Sequence, residues 1–379
     1  MATLVPARLV PPGRLIKREI DARGWTQKEL AEIMGRPVQA ITEIVRGTKQ
    51  ITPETAQELA AAFGTSATLW INLETSYRLA LAAREQGEAT SVIARRSALH
   101  SIAPIPELIR RGWIAGADAV EALDQQLRDF LGIDSLDVAL PTVSFRQAPG
   151  RETDTGALRA WLRRVELLAR QQNPAPFSRG TLEAGIPSLL QLTAHTADVA
   201  RAPEAVLGLG VHIVIVPHLE RTFVDGAAFW IDDRPVVALS LRYDRVYYFW
   251  MTLLHEIAHI LSGHRGMHVD VFEEADVASG SEGDSDEERQ ADAIARDWLL
   301  DPQAFAAFVT SAAGVFDAAS VKAFAAAQER SAGIVCGRLH RDRLVGYEQH
   351  RFLLGKVRPH LQPWIDVARP PLAARAAIR

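Results

Sequence analysis

Apolar positions recur at helical spacing from near the start of the chain. Leu15, Ile16 and Ile20 share one face of a helix predicted over residues 14–24, which Gly24 stops. Thr26, with Glu29 three residues on, forms a capping box that opens a second helix closed at Gly35. A third follows at once over PVQAITEIVRG, with Pro37 at its first turn and Gly47 at its end. Two short helices around a tight glycine-containing turn are the signature of a helix-turn-helix. Pro53 opens a fourth helix through Phe63. In SATLWINLETSYRLAL a fifth brings Leu69, Trp70 and Leu73 to close a small core. This all-helical domain is expected over residues 1–84.

From 85 to 200 helical patterns such as GALRAWLRRVELLARQ (156–171) alternate with loops marked by Pro141, Pro149, Pro174 and Pro176, so the stretch reads as a helical connecting region. Trp113 and Trp161 within it read as core residues. The period then changes. VHIVIVP (211–217), TFVDGAAFWID and, after an Asp232-Asp233 turn, RPVVALSL predict three strands of a small antiparallel sheet. A strongly apolar helix follows over about 245–262, then an acidic Gly/Ser loop, then a helix from Asp286 to Leu300 that ends before Pro302. These elements make a domain expected over 201–302. Residues 303–379 read as helical, then mixed, with a flexible Pro/Arg/Ala tail. The fold class is α+β and mostly helical.

Composition narrows the setting. The 379 residues are 48% hydrophobic and 23% charged, a globular balance. A net charge of -4 gives no overall attraction to nucleic acid, so any DNA contact must come from a local basic surface. The single cysteine, Cys336, excludes an intramolecular disulfide and a thiolate-rich metal cluster within one chain, and fits a reducing cytoplasm. The N-terminal MATLVPARLVPPGR is broken by prolines, and no later run reaches the roughly 18 apolar residues of a membrane span. A soluble cytoplasmic protein is expected.

The apolar helix carries His255-Glu256-Ile257-Ala258-His259. Positions i and i+4 of a helix lie about 40° apart in projection, so both imidazoles can reach one Zn²⁺. Glu256 is offset by about 100°, beside the metal, where it would take a proton from the attacking water and pass it to the leaving amine. Two incidental histidines on an interior helix are the bland alternative. A catalytic zinc needs a third protein ligand. The spacing HExxHxxGxxH would require Gly at 262 and His at 265, where the chain has Ser262 and Arg265. The other usual source is a Glu on a following helix. DEERQADAIARDWLL offers Glu288, with Asp292 on the same face to accept the second ring N–H of a ligand histidine. Asp284, Asp286 and Glu287 read as a solvated acidic loop. His264 and His268 are candidates for stabilising an oxyanion, against the plainer reading of surface histidines.

Residues 211–302 resemble the ImmA/IrrE-type metallopeptidases: a short sheet, LLHEIAHILSGH, then an E-x-x-A-D-x-x-A segment, here Glu288-Arg289-Gln290-Ala291-Asp292-Ala293-Ile294-Ala295, ending LLDP. The resemblance implies one Zn²⁺ per chain on His255, His259 and Glu288, with Glu256 as general base: a zincin-like domain and a metalloendopeptidase of the HExxH-then-Glu type. Family members commonly have an aromatic where Ile294 stands and a Met where Asp301 stands. Those departures touch packing and a helix end, not the ligands. The N-terminal stretch from PGRLIKREIDARG to INLETSY resembles the HigA-like antitoxin branch of the Xre helix-turn-helix regulators. That likeness implies a homodimer on double-stranded operator DNA. Gln39, Ala40, Thr42 and Glu43 of the third helix would read bases, and Arg36, Arg46 and Lys49 would face phosphates. Glu43 is unfavourable beside phosphates though able to accept from a cytosine amino group, which implies modest, dimer-dependent affinity.

Three functions follow as expectations. The first is a stress-responsive transcriptional regulator whose endopeptidase domain cleaves a partner protein, a repressor or a toxin-antitoxin component. The second is a HigA-like antitoxin or repressor whose peptidase fold is non-catalytic and serves for sensing or partner binding. The third is a housekeeping peptidase whose helix-turn-helix only dimerises or docks.

Overall fold

In the computed structural model, residues 10–135, 153–264, 268–270 and 286–367 are described. The flexible tail expected at the C-terminus and the acidic Asp284 lie outside them. The chain divides into two compact units, Met1–Ala98 and Leu99–Arg379.

The first unit is built from α1 (Pro12–Ala22), α2 (Gln27–Ile33), α3 (Val38–Arg46), α4 (Pro53–Phe63) and the start of α5 (Ala67–Ile102). The capping box at α2 is formed: the Glu29 amide donates to Thr26 Oγ1, and the Thr26 amide donates to the Glu29 carboxylate. Its core gathers Ile16 and Ile20 from α1, Leu30 from α2, Ile41 and Ile44 from α3, and Trp70 from α5. Trp70 is buried and donates to Thr65 Oγ1 at 2.8 Å. Leu69, expected in this core, is instead 39% exposed because the α5 face that carries Trp70 turns it outward. The boundary expected at 84 falls within a helix. No helix stop occurs there, and α5 runs through it as one helix of 36 residues, Ala67–Ile102.

The second unit adds α6 (Ile105–Arg110), α7 (Val120–Leu131), α8 (Thr155–Ala169), α9 (Arg179–Gln191) and α10 (Ala202–Gly208). Four strands follow, β1 (His212–Ile215), β2 (Gly226–Ile231), β3 (Arg234–Leu239) and β4 (His268–Asp270), with α11 (Val246–Ser262) between β3 and β4. Then come α12 (Asp286–Leu299), α13 (Pro302–Ala312), α14 (Ala318–Ala327) and α15 (Ala332–Arg341).

The sheet is mixed, in the order β1-β3-β2-β4, and not the antiparallel sheet of three strands that the sequence suggests. The two-residue Asp232-Asp233 turn makes an antiparallel β2/β3 hairpin, with Asp232 in the left-handed region at φ 56°. The ten residues after β1 let the chain cross over, so β1 joins the free edge of β3 in parallel, His212 opposite Val236. Short β4 pairs with β2, His268 opposite Ala228.

One apolar core holds Leu182 of α9, Val206 of α10, Ile213 of β1, Leu253 and Ile257 of α11, Phe305 of α13 and Leu339 of α15. The segments expected as separate regions over 85–200, 201–302 and 303–379 therefore contribute to a shared interior. Trp113 and Trp161 are buried. Among the described residues no helix is long and apolar enough to cross a membrane.

Two outcomes test this packing. A Cβ on Gly13 would come within 2.1 Å of the Val45 carbonyl oxygen, so α1 and α3 meet backbone to backbone. Gly13→Ala should destabilise the first unit by about 1–3 kcal/mol, seen as faster amide exchange confined to α1–α4. In the second unit burial, reinforced by Arg234, lowers the pKa of His212 to about 4 from 6.5. Between those values the unfolded chain binds the proton and the folded chain does not, so stability falls as pH drops through that window. In His212→Gln the urea midpoints at pH 7 and pH 5 should lie closer together than in the wild type.

Candidate metal centre

Every residue of α11 from Phe249 to Leu261 is buried, with apolar side chains on all sides. His255, Glu256 and His259 are 1%, 0% and 0% exposed, so their polar atoms must be answered from within the protein. The one-turn spacing brings the two Nε2 atoms 3.0 Å apart. α12 packs along α11 and presents Glu288 and Asp292 from consecutive turns of one face. Glu288 Oε2 stands 3.3 Å from His255 Nε2 and 3.5 Å from His259 Nε2. Asp292 Oδ1 stands 3.1 Å from His255 Nδ1, while its Oδ2 accepts from Arg341 Nη2 at 2.8 Å.

The electrostatics follow from these contacts. Burial works against the Glu288 charge, but hydrogen bonds from His255, His259 and His268 outweigh it and hold the carboxyl far below its ordinary range. Asp292 is likewise held low, burial being overcome by the His255 hydrogen bond and the Arg341 charge. Both are carboxylates at any physiological pH. With Nδ1–H of His255 donated to Asp292, its Nε2, which faces His259 Nε2 and Glu288 Oε2, would offer its electron pair to a metal ion once the proton it shares with Glu288 is displaced. Two imidazole nitrogens and a carboxylate oxygen converging this closely suit a divalent cation of zinc type. His255, His259 and Glu288 form one set of residues able to hold a metal ion, and His259, His264 and His268 form another.

His264 and His268 lie against His259. His264 Nδ1 is 2.9 Å from His259 Nδ1, and the His268 ring stacks on His259 at 4.3 Å. Burial lowers the His264 pKa, against the opposing pull of the Glu287 carboxylate. Glu287 is half-exposed and Asp286 nearly fully exposed, on the solvent side of α12. Cys336 is buried away from this centre, its thiol pushed up to about 12 by desolvation.

In the first unit, Arg46 and Lys49 are exposed at the end of α3, and Gln39 is exposed at its start. Gln39 Nε2 donates to Glu43 Oε1 at 3.1 Å, and Thr42 Oγ1 donates to the Val38 carbonyl at 3.0 Å. Arg36 is ion-paired with Glu58 across to α4. Ala40 is 8% exposed and faces the core beside Ile41. The period of α3 leaves Ala40 little exposed, unlike Gln39 beside it.

A helix-turn-helix family model matches residues 16–70. Virulence-associated protein I of Dichelobacter nodosus is 31% identical over 85 residues, 22% of this chain and 79% of that protein. The chain belongs to the helix-turn-helix family. A second relative, the uncharacterized HTH-type transcriptional regulator YddM of Escherichia coli K12, is 29% identical over 18% of this chain and 73% of its own length. Among solved structures, an addiction module antidote protein of a HigA family from Coxiella burnetii is 29% identical, covering 22% of this chain and 92% of its own, at a TM-score of 0.22. PA4674 of Pseudomonas aeruginosa, solved with its operator DNA, is 29% identical over 22% of this chain and 91% of its own, at 0.21. Each of the four covers about a fifth of this helix-turn-helix protein, and the family model's residues 16–70 do not reach α11.

Two residues that hold the centre carry no local sequence signal. Arg341 arrives from α15, 49 residues beyond Asp292. Gly226 opens β2 directly over Glu256, where a Cβ would meet Glu256 Oε1 at 2.3 Å and Thr252 Cγ2 at 2.5 Å. Only the missing side chain leaves room for that carboxylate. Gly226→Ala should displace Glu256 while leaving the metal-binding set intact. A loss of function that depends on Glu256, with zinc content unchanged by elemental analysis, is the expected outcome.

Proposed function

We propose that this protein is a DNA-binding transcriptional regulator, acting as a homodimer in the cytoplasm, whose second unit is a zinc-dependent endopeptidase of zincin type that cleaves a partner protein on a stress signal. The convergence of His255 Nε2, His259 Nε2 and Glu288 Oε2, with Glu256 one position along the same buried helix, carries the reading. A zinc ion held by those three residues would act as a Lewis acid, polarising the scissile carbonyl and acidifying water. Glu256 takes the proton of the attacking water on its carboxylate and returns it to the departing amine. Asp292 holds His255 in the Nδ1–H form, and Arg341 keeps Asp292 ionised and turned toward it. Membership of the helix-turn-helix family supports operator binding, as does a relative described as a transcriptional regulator. Exposed Gln39 would reach base edges, with Arg46 and Lys49 near phosphates. The substrate would be a repressor or a toxin-antitoxin component encoded nearby.

The complete burial of Glu256 favours a second reading, in which the peptidase fold senses metal or binds a partner without cutting. One set of measurements separates them. Zinc-supplemented protein should hold one zinc per chain, and wild type should cleave a co-encoded repressor or antitoxin. Glu256→Gln should keep the zinc and slow cleavage by about 100-fold or more. Cleavage-independent regulation that survives Glu256→Gln would select the second reading, and a folded chain without zinc would sink the first. Binding to its own upstream DNA should weaken steeply with salt and be lost in Gln39→Ala.

A further inference from the structure

Resting on the metallopeptidase reading, we infer that His264 is a positioning residue for His259, accepting its Nδ1–H and so keeping its Nε2 electron pair free for the metal. The local backbone fixes the pair. Gly263, in the left-handed region at φ 81°, ends α11 and turns the chain back, so that the His264 amide donates to the His259 carbonyl at 3.1 Å. The imidazole of His264 then lies with Nδ1 2.9 Å from His259 Nδ1. The same residue is thus held to His259 through both backbone and ring.

Counting protons decides the direction of that contact. A neutral imidazole carries one N–H, and a ring that ligates through Nε2 must carry it on Nδ1. His255 meets this condition by donating to Asp292. Among the described residues the atom facing His259 Nδ1 is His264 Nδ1, and no carboxylate is placed there. His259 therefore donates and His264 accepts, which puts the His264 proton on Nε2, toward Glu287 Oε1 at 3.9 Å. The two ligand histidines are held by unlike partners, a carboxylate backed by Arg341 and a neutral imidazole.

With His259 donating to His264, the His264 Nδ1 is no longer open to a second ion on His259, His264 and His268. The His259 and His268 rings are stacked only 17° from parallel, so their in-plane electron pairs do not converge on a common point.

The test uses the full chain, with zinc stoichiometry by elemental analysis, affinity by chelator competition, and the visible spectrum of the cobalt-substituted protein. Wild type should bind one zinc. His264→Ala should weaken zinc binding about 10- to 100-fold and shift the cobalt bands. His264→Asn, whose amide oxygen takes roughly the place of Nδ1 as an acceptor, should restore most of the affinity and the wild-type spectrum. Wild-type affinity in His264→Ala, or no rescue by His264→Asn, overturns the inference and leaves the metallopeptidase reading standing. Two zinc ions in wild type, falling to one in His264→Ala, would make His264 a ligand and also overturn it. No zinc in folded wild type overturns both. Should His264→Ala not fold, the affinity and cobalt spectrum of His264→Asn against wild type decide.

Discussion

α11 is apolar on nearly every side and lies inside the second unit, yet it carries two imidazoles and a carboxylate with almost no exposure. A polar group moved into such an interior without a partner costs several kcal/mol, of order 2–7. For the two imidazoles the rest of the unit is arranged around meeting that cost. α12 supplies Glu288 and Asp292, α15 supplies Arg341, and the turn after α11 supplies His264. Each contact is answered by another one layer further out, so the two histidines, the carboxylates around them and the C-terminal helices form one network. Breaking a buried pair of this kind costs about 3–5 kcal/mol, which couples the fold to the centre.

Two glycines show how tightly the backbone is committed there. Gly226 lets β2 pass over Glu256 with no side chain between them, and Gly263 adopts the positive φ that ends α11 and returns His264 to the centre. Both act through what glycine lacks, a Cβ, and both determine where a neighbouring ionisable group stands.

The first unit works on another principle. Its small core of isoleucines, Leu30 and Trp70 orients α3, and the polar residues on the outer face of that helix are free to address a partner. With a net charge of -4 for the chain, Arg46 and Lys49 provide only a local positive surface. Any recognition of DNA must then lean on side-chain fit more than on long-range attraction.

Local pattern determined a good deal by itself. The capping box at Thr26 and Glu29, the proline that opens α4 and the i,i+4 spacings of His255/His259 and Glu288/Asp292 are rules of one helix turn, readable without the fold. What needed the tertiary structure was whatever joins residues far apart in sequence or depends on which helix face is covered. Ala40 and Leu69 lay on faces that only packing could assign, one inward and one outward. The parallel pairing of β1 with β3 depends on a crossover, which strand pattern does not encode. Arg341 and Gly226 carry no motif, because their role is to be near Asp292 and Glu256 in space. His264 and His268 were visible as histidines, but their contacts with His259 arise from a left-handed glycine and a strand edge. Helical periodicity repeats over four residues and can be read locally, whereas the partners of a buried charge are chosen by the whole packed interior.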